Sequence, residues 1–231
     1  MSHVFTPPAV VSVPVAGGGG EFPVHRIYCV GRNYAEHAVE MGFSGREPPF
    51  FFMKPADAVV SVADGETGTI AYPSLTADLH HEIELVVAIG RGGSDIAVAD
   101  AASHIWGYAV GLDMTRRDLQ AQAKKQGRPW CIAKGYDQSA PIGPIRPIAQ
   151  TGELASGEIS LAVNGQPRQR GDLKDLIWNV SETIAAISAA WKLQPGDLIY
   201  TGTPAGVGAV QRGDVMLGAI AGLGTLSVAV R

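Results

Sequence analysis

The clearest pattern of apolar and polar positions in the chain lies at residues 78–90. The segment begins with polar residues, and residues 85–89 form an unbroken apolar run that ends at Gly90. This pattern predicts a buried β-strand that enters the core from a polar edge. Residues two apart on a strand point to the same face, so Glu82 and Glu84 are predicted to lie side by side. Their repulsion and desolvation cost indicate either a bound divalent cation or a charged strand edge.

Further apolar runs predict a chain rich in β-structure. The predicted strands cover residues 25–31, 50–55, 70–73, 106–113, 159–163, 198–201, 215–217 and 226–230. Asn164-Gly165 is a dipeptide favoured in two-residue hairpin turns, so it should join two antiparallel strands. Residues 64–68 predict a second turn of the hairpin type. Because the 231 residues include 29 glycines and 15 prolines, long helices should be few.

Four segments have the spacing expected of short helices. They cover residues 32–42, 96–105, 115–127 and 173–191. Asn33 and Ser181 are suited to cap the first and the last of them, because their side chains can accept a hydrogen bond from a free backbone N–H. We therefore predict one α+β domain, rich in β-structure, at residues 26–231, preceded by an extended N-terminal segment at residues 1–25.

Composition and charge argue against several classes of protein. The formal net charge of −4 gives no reason to expect nucleic-acid binding. No apolar run reaches the ~18 residues of a membrane span, and the N-terminus lacks the basic and apolar regions of a signal peptide, so we expect a cytoplasmic protein. Cys29 and Cys131 lie in apolar settings far apart in the sequence. We expect two reduced, buried thiols in preference to a disulfide.

Asp113 closes a predicted strand and offers a third carboxylate. An Asp in such a position often caps the next element, but it can also act as a hard oxygen ligand. Together with Glu82 and Glu84 it would favour Mg²⁺ or Mn²⁺ over zinc. The adjacent His80 and His81 leave a zinc site open, although the chain has no H-E-x-x-H motif and no pair of cysteines at zinc-finger spacing.

Three further features are candidates for catalysis or binding. His37 and Glu40 share a face of the first predicted helix, either as a base with its orienting partner or as an incidental surface pair. Lys134 follows an apolar triplet and therefore needs a charged partner. Residues 202–208 form either a tight glycine turn or a small anion site lined by backbone N–H groups and the Thr203 hydroxyl. The absence of P-loop and G-x-S-x-G motifs argues against a P-loop nucleotide site and a serine hydrolase.

Six distinctive sequence blocks follow one another along the chain. They are Val30-Gly31-Arg32-Asn33-Tyr34 with His37 and Glu40, residues 78–85, Gly107-Tyr108 with residues 113–118, Pro129-Trp130 with Ala133-Lys134, Val163-Asn164-Gly165, and residues 195–197 with 201–208. As a set, these blocks resemble the fumarylacetoacetate hydrolase (FAH) superfamily and cover nearly all of the chain from Arg26. The match is closest to its short acylpyruvase branch, which includes the fumarylpyruvate hydrolases of gentisate degradation. Full-length fumarylacetoacetases carry an extra N-terminal domain, which we do not expect here. They also have a further metal-binding Asp shortly before the helix histidine, where residues 28–33 of this chain hold no carboxylate, so we expect three protein carboxylates.

The resemblance implies a β-sandwich roll with a few short helices, usually a homodimer, that holds Mg²⁺ or Mn²⁺. It implies that the metal ligands are Glu82, Glu84 and Asp113. The helix that bears His37 and Glu40 would be a mobile lid ordered by the substrate. His80 and His81 would then be supporting or packing residues, which weakens the zinc alternative.

The implied activity is hydrolysis of the C–C bond of an acylpyruvate, a small 2,4-dioxo acid. His37 and Glu40 would deprotonate a water that attacks the distal carbonyl, and Lys134 would stabilise the resulting oxyanion. The resemblance places Gln120 and Thr203 at positions that contact the substrate, with Gln120 as a second candidate for stabilising the oxyanion. Arg32 would be a partner for a substrate carboxylate.

Fumarylpyruvate would yield fumarate and pyruvate, and its second carboxylate needs a cation at the far end of the site. Arg116, Arg117 and Lys124 are candidates for that cation, unless they only form a solvated helix face. Oxaloacetate decarboxylation is the main alternative activity, because it passes through the same pyruvate enolate. Isomerisation or decarboxylation of homoprotocatechuate-pathway diacids is a third. A non-catalytic metal-binding sensor is disfavoured, since binding alone needs no water-activating pair.

Overall fold

The computed structural model describes residues 3–34 and 46–231. Most of the predicted helix at residues 32–42, including His37 and Glu40, lies outside these ranges. The strands are β1 (Ser12–Pro14), β2 (Glu21–Pro23), β3 (Ile27–Gly31), β4 (Phe50–Lys54), β5 (Val59–Ser61), β6 (Thr67–Ile70), β7 (Leu79–His81), β8 (Ile83–Ile89), β9 (Ile105–Leu112), β10 (Thr115–Arg116), β11 (Ala140–Ile142), β12 (Arg146–Pro147), β13 (Glu158–Val163), β14 (Gln166–Asp172), β15 (Leu198–Tyr200), β16 (Gly208–Val210), β17 (Val215–Ile220) and β18 (Gly224–Val230). The predicted β-rich chain is confirmed.

Helices are short throughout the described residues. The α-helices are α1 (Arg117–Lys125), α2 (Cys131–Lys134), α3 (Ile148–Thr151) and α4 (Val180–Ala190), and three 3-10 helices cover Ala56–Ala58, Val98–His104 and Leu173–Asp175. The α-helix predicted at residues 96–105 is thus a 3-10 helix, and the one predicted at 173–191 is interrupted. Asn179, not Ser181, caps α4, because its side chain accepts from the Glu182 N–H while Glu182 bonds back to the Asn179 N–H.

Two sheets form the body of the molecule as a sandwich. The larger has the order β4-β3-β15-β8-β9-β11-β5, with β12 paired to β9, and the other has the order β14-β13-β17-β18-β6. Leu85 and Val87 of β8 pack in one apolar cluster with Leu161 of β13 and Val228 of β18. This shared core explains why the inward positions of both sheets are apolar.

The N-terminal hairpin covers the other face of the larger sheet. Val13 of β1 and Phe22 of β2 pack in a second cluster with Val86, Ala88 and Tyr200. Strand β8 is therefore buried on both faces, which requires the unbroken apolar run seen in its sequence. The division of the chain at residue 26 stays a prediction.

The segment predicted as one strand at residues 78–90 forms two strands in two different sheets. It breaks at Glu82: β8 continues into the large sheet, whereas β7 pairs with β10 and β16 in a small sheet of order β10-β7-β16. All three strands of the small sheet adjoin candidate residues. Strand β7 leads into Glu82, Asp113 precedes β10, and the segment containing Thr203 leads into β16.

Two turn predictions had different outcomes. Asn164 and Gly165 have φ values of 50° and 76°, and they join the antiparallel strands β13 and β14 as predicted. Residues 64–68 make a turn but no hairpin, because β5 pairs with β11 and β6 with β18. Both cysteines are free as expected, but only Cys29 is buried. Cys131 is exposed at the start of α2, so that part of the prediction is wrong.

Candidate active site

Three buried carboxylates meet where the large and small sheets adjoin. Asp113 directly follows β9, and its N–H donates to the Glu82 carbonyl oxygen at 2.9 Å, which brings the two residues together. Glu84 lies on β8 opposite Gly111. One carboxylate oxygen from each of Glu82, Glu84 and Asp113 lies within 4.8 Å of the others, and the residues are at most 5% exposed. This arrangement has the donor type that Mg²⁺ and Mn²⁺ prefer.

Three cationic side chains surround the carboxylates. Lys134 Nζ lies 2.8 Å from Glu82 Oε2 and 2.7 Å from Asp113 Oδ2, so its ammonium joins two members of the cluster. Lys54 Nζ lies 2.8 Å from Asp113 Oδ1, and Arg117 Nη2 lies 2.5 Å from Glu82 Oε1. Buried carboxylates are therefore paired with buried cations, as burial of charged groups requires.

Glu84 has the least direct compensation of its charge among the three carboxylates. Its Oε2 accepts from the Gly202 N–H at 2.8 Å. Burial, followed by the Asp113 and Glu82 carboxylates, raises the pKa of Glu84 well above its ordinary value, against the opposing effects of Lys134 and of that hydrogen bond. A divalent cation beside Glu84 would favour its ionised form. The carboxylate cluster thus fits such an ion on electrostatic grounds as well as by donor type.

The Lys134 ammonium is held in its charged form. Burial acts to lower the pKa of Lys134, but the Asp113 and Glu82 carboxylates outweigh it, and the pKa is raised. A charged ammonium at this place can stabilise negative charge that develops on a bound molecule. Lys134 reaches the cluster because α2 is a single turn whose last residue points into the core.

A narrow cleft opens onto this cluster. It is lined by Val30, Gly31, Arg32, Phe52, Glu82, Glu84, Arg117, Gln120, Trp130, Lys134 and Thr203. The three substrate-binding residues that the resemblance implied, Arg32, Gln120 and Thr203, therefore lie on the cleft wall, together with Lys134 and two of the three carboxylates. The structure leaves the roles of His37 and Glu40 as predictions, since both lie outside the described residues.

Arg32 lines the cleft in an unusual backbone conformation. Its φ is 57°, which is uncommon for a residue other than glycine. Its guanidinium carbon lies 5.2 Å from the centre of the Phe50 ring, and Nη1 lies 3.7 Å from a Glu47 carboxylate oxygen. Asn33 beside it is buried and bonds to Trp178 and to the Thr201 carbonyl, which anchors this segment.

Gln120 and Thr203 are each held by another polar side chain. Arg117, which lies one turn before Gln120 on α1, donates from Nη1 to Gln120 Oε1 at 2.5 Å. Gln169 Nε2 donates to Thr203 Oγ1 at 2.7 Å. Both contacts fix which groups of Gln120 and Thr203 remain for a ligand.

The two adjacent histidines lie beside the cluster. His80 Nε2 is 2.9 Å from Asp78 Oδ1, and its Nδ1 accepts from Arg117 Nε at 3.3 Å. His81 is fully buried, with Nδ1 2.8 Å from Gln169 Oε1. Burial is the main cause that lowers the pKa of both histidines. Their contacts agree with the supporting role expected of them.

Three polar residues near the cluster were not singled out as site residues from the sequence. Lys54 ends an aromatic strand in the same way that Lys134 follows an apolar triplet, so the same signal could have found it. Arg117 was one of three candidate cations and is the one that lines the cleft; Arg116 instead donates to the Ile132 carbonyl. Gln169 is the one buried position in the pattern of β14, a cue that sequence alone does not reveal.

Comparison with known proteins identifies the family. A family model described as fumarylacetoacetate (FAA) hydrolase C-terminal matches residues 26–231. The chain belongs to this family. The sandwich with few helices is the fold of its relatives, and the expected FAH-type fold is confirmed.

Three relatives show the range of activities in this neighbourhood. The crystal structure of a fumarylpyruvate hydrolase from Pseudomonas aeruginosa, in complex with Mn²⁺ and pyruvate, superimposes with a TM-score of 0.98 at 60% identity and covers 99% of both chains. A fumarylpyruvate hydrolase from Ralstonia sp is 46% identical over 80% of this chain and 93% of its own. A mitochondrial oxaloacetate decarboxylase from Dictyostelium discoideum is 42% identical over 87% of this chain and 90% of its own.

These matches make the protein an enzyme of the FAH superfamily. Among the helices of the described residues, none has both the length and the apolar character needed to cross a membrane.

Proposed function

We propose that this protein is a divalent-cation-dependent hydrolase that cleaves fumarylpyruvate, an acylpyruvate, to fumarate and pyruvate. The observation that carries the proposal is the cluster of three buried carboxylates, Glu82, Glu84 and Asp113, in one cleft with the Lys134 ammonium. The choice of substrate is supported by the similarity to fumarylpyruvate hydrolases at 60% and 46% identity. We also propose, from the family resemblance, a cytoplasmic homodimer.

Glu82, Glu84 and Asp113 would hold Mg²⁺ or Mn²⁺. When bound, such an ion would supply Lewis-acid polarisation of the 2-keto-carboxylate end of the substrate. The carboxylates would be kept in place by Lys134, by the Arg117 guanidinium and by the Gly202 N–H. These contacts orient the ligands in the way that supporting groups do in other metal sites.

The remaining cleft residues would bind and orient an anionic substrate. Arg117 donates to Gln120 Oε1, which leaves the Gln120 amide N–H groups as donors on the cleft wall. Arg32 offers a guanidinium on the cleft wall, which would pair with a carboxylate of fumarylpyruvate. Thr203 offers a hydroxyl. This set of donors suits a dicarboxylic dioxo acid better than a neutral compound.

The reaction needs one water and no redox cofactor. Glu40, with His37, would remove a proton from water, whose oxygen then adds to the distal carbonyl carbon. Lys134, assisted by Gln120, would stabilise the oxyanion of the tetrahedral intermediate. The C–C bond then breaks, its electron pair passes to the pyruvate enolate, and a proton completes pyruvate while the hydroxyl stays with fumarate. The roles of His37 and Glu40 rest on the sequence.

The proposal is tested by following loss of fumarylpyruvate absorbance before and after metal removal. Turnover should vanish in metal-free protein and return with Mn²⁺ or Mg²⁺. Glu84→Ala should abolish Mn²⁺ binding in calorimetry together with turnover, whereas Glu40→Gln should abolish turnover and keep Mn²⁺ affinity nearly unchanged. Glu66→Ala, at an exposed turn, is the matched control and should change neither. No turnover of any acylpyruvate with metal restored would refute the hydrolase.

Oxaloacetate decarboxylation is a second candidate, favoured by the 42% identity to the Dictyostelium enzyme. It would use the same carboxylates and pyruvate enolate but no attacking water. Glu40→Gln therefore discriminates between the two: a decarboxylase should keep most of its activity, and the hydrolase should lose it. Rates on fumarylpyruvate, acetylpyruvate and oxaloacetate would rank the substrates directly.

A further inference from the structure

Gln169 is a buried amide behind the wall of the cleft. It lies on β14, most of whose residues are exposed or half-buried, yet it is only 1% exposed. Its Oε1 accepts from the Ile83 N–H at 3.1 Å and lies 2.8 Å from His81 Nδ1. Its Nε2 donates to Thr203 Oγ1 at 2.7 Å and to the Pro204 carbonyl at 2.9 Å. All the hydrogen-bonding groups of this amide are thus in use.

Backbone partners fix the orientation of this amide. The Ile83 N–H can only donate, so the atom that faces it must be the oxygen. The Pro204 carbonyl can only accept, so the atom that faces it must be the nitrogen. The alternative amide orientation would place like groups against each other at both ends. It follows that His81 Nδ1 carries the hydrogen in its contact with Gln169.

The orientation of Gln169 decides what the Thr203 hydroxyl can do. Because Oγ1 accepts the Gln169 N–H, the hydroxyl hydrogen of Thr203 must point elsewhere. Within residues 3–34 and 46–231 the Thr203 hydroxyl makes no hydrogen bond as a donor, and Thr203 lines the cleft that contains Glu82 and Glu84. The hydrogen is therefore available to a molecule in the cleft, and Thr203 acts there as a donor.

We propose that Gln169 is a positioning residue that keeps the Thr203 hydroxyl as a hydrogen-bond donor to an oxygen of the bound keto acid. This inference rests on the proposed function, since it names how that site recognises an anionic oxygen. Gln169 is not among the residues that line the cleft, so it does not touch a bound molecule and influences the donor through Thr203. It also ties β14 to the Thr203 segment and to the start of β8, so one side chain joins three parts of the site wall.

Gln169→Glu tests the direction of this hydrogen bond. The two side chains have the same shape, but Glu has no N–H. If burial keeps the Glu protonated, its one O–H would serve the Pro204 carbonyl, and in either form its oxygen accepts, so the Thr203 hydroxyl would turn and donate to it. The probe is pyruvate, titrated into Mn²⁺-loaded protein by calorimetry. We expect pyruvate affinity to fall about 10- to 100-fold, as for loss of a hydrogen bond to a charged group. In turnover of fumarylpyruvate, KM should rise much more than kcat falls.

A double-mutant cycle separates this role from a merely structural one. Thr203→Val should weaken pyruvate binding by a similar factor, Thr203→Ser should not, and Gln169→Glu should cause little further loss in the Thr203→Val background. If Gln169→Glu weakens binding equally in both backgrounds, or if Thr203→Val binds pyruvate as the parent does, the proposal is wrong. Should Gln169→Glu fail to fold, Gln169→Met, which also removes the N–H that holds Thr203, takes its place in the cycle with the same expected results.

Pyruvate binding tests the donor assignment, and turnover of acylpyruvates tests the proposed function, so the two can be refuted separately. A protein that binds pyruvate through Thr203 but hydrolyses no acylpyruvate would refute the proposed function and leave the donor assignment supported. A protein that hydrolyses fumarylpyruvate with the Gln169→Glu cycle fully additive would do the reverse.

Discussion

Lys54→Met removes a buried cation that the proposed reaction does not use directly. The Lys54 ammonium lies 2.8 Å from Asp113 Oδ1, and it donates to the Met114 carbonyl at 3.2 Å and to the Lys134 carbonyl. Methionine is similar in length but carries no charge and donates nothing. The Met114 carbonyl therefore loses this donor, the Lys134 carbonyl still accepts from Ser139 Oγ, and Asp113 Oδ1 loses the neighbouring cation.

The size of the effect follows from the burial of this ion pair. Removing one partner of a buried pair typically costs about 3–5 kcal/mol when the other charge is left without compensation. Asp113 keeps the Lys134 ammonium at 2.7 Å, so the loss here should lie at the low end of that range. We expect the free energy of unfolding of the metal-free protein, measured by urea titration, to fall by that amount. Mn²⁺ should recover part of the loss, since a cation near Asp113 replaces some of the missing positive charge.

The matched control is Lys174→Met on the surface. Lys174 Nζ lies 3.6 Å from Asp172 Oδ2, and its side chain is 67% exposed. Exposed pairs of this kind contribute about 0–1 kcal/mol, so this variant should unfold almost as the parent does. If the two lysine variants differ by less than about 1 kcal/mol, the reasoning that Lys54 compensates the buried Asp113 charge is refuted.

Two further predictions concern the acid limb of stability and the loop before β16. The hydrogen bond from Arg46 is the main cause that lowers the pKa of Glu182. The stability that the ionised Glu182 contributes is therefore present above the ordinary glutamate pKa and is lost as the pH falls through the lowered value. Glu182→Gln should thus unfold more easily than the parent at pH 7, and urea titrations should show this difference shrinking toward pH 3; a constant difference would contradict it. Gly206 has φ +91° and an added Cβ would lie 2.1 Å from the Arg168 carbonyl oxygen, so Gly206→Ala should destabilise the fold by more than the ~1–3 kcal/mol of backbone strain alone. Gly213→Ala, with φ +94° and open space around it, measures strain without the clash, and equal losses in the two variants would contradict the prediction.

The strand pattern could be predicted well, because a strand buried on both faces needs an unbroken apolar run. What the pattern could not reveal is the break at Glu82. Both sides of that residue have strand-like sequence, and only the pairing partners differ: β9 and β15 on one side, β10 and β16 on the other. The 3-10 helix at Val98–His104 was similarly beyond reach, since an alanine-rich segment has the same spacing in both kinds of helix.

The candidate site was predictable where charge stood out against an apolar background. Glu82, Glu84 and Asp113 each interrupt or end an apolar strand, and Lys134 follows an apolar triplet. Gln169 had no such contrast, because its neighbours on β14 are polar and exposed. Its partners lie 86, 88 and 34 residues away for Ile83, His81 and Thr203 respectively, so only the folded chain brings its hydrogen bonds together.

The break at Glu82 has a consequence for how the molecule could be regulated or tuned. The backbone on one side of Glu82 is hydrogen bonded within the small sheet and on the other side within the large one. A ligand that needs Glu82 and Glu84 together therefore also needs the two sheets in one relative placement. Ligand affinity is therefore coupled to the free energy of holding the two sheets in that placement. Substitutions in β10 or β16 that contact no carboxylate should accordingly change affinity, and bound ligand should stabilise those strands in return.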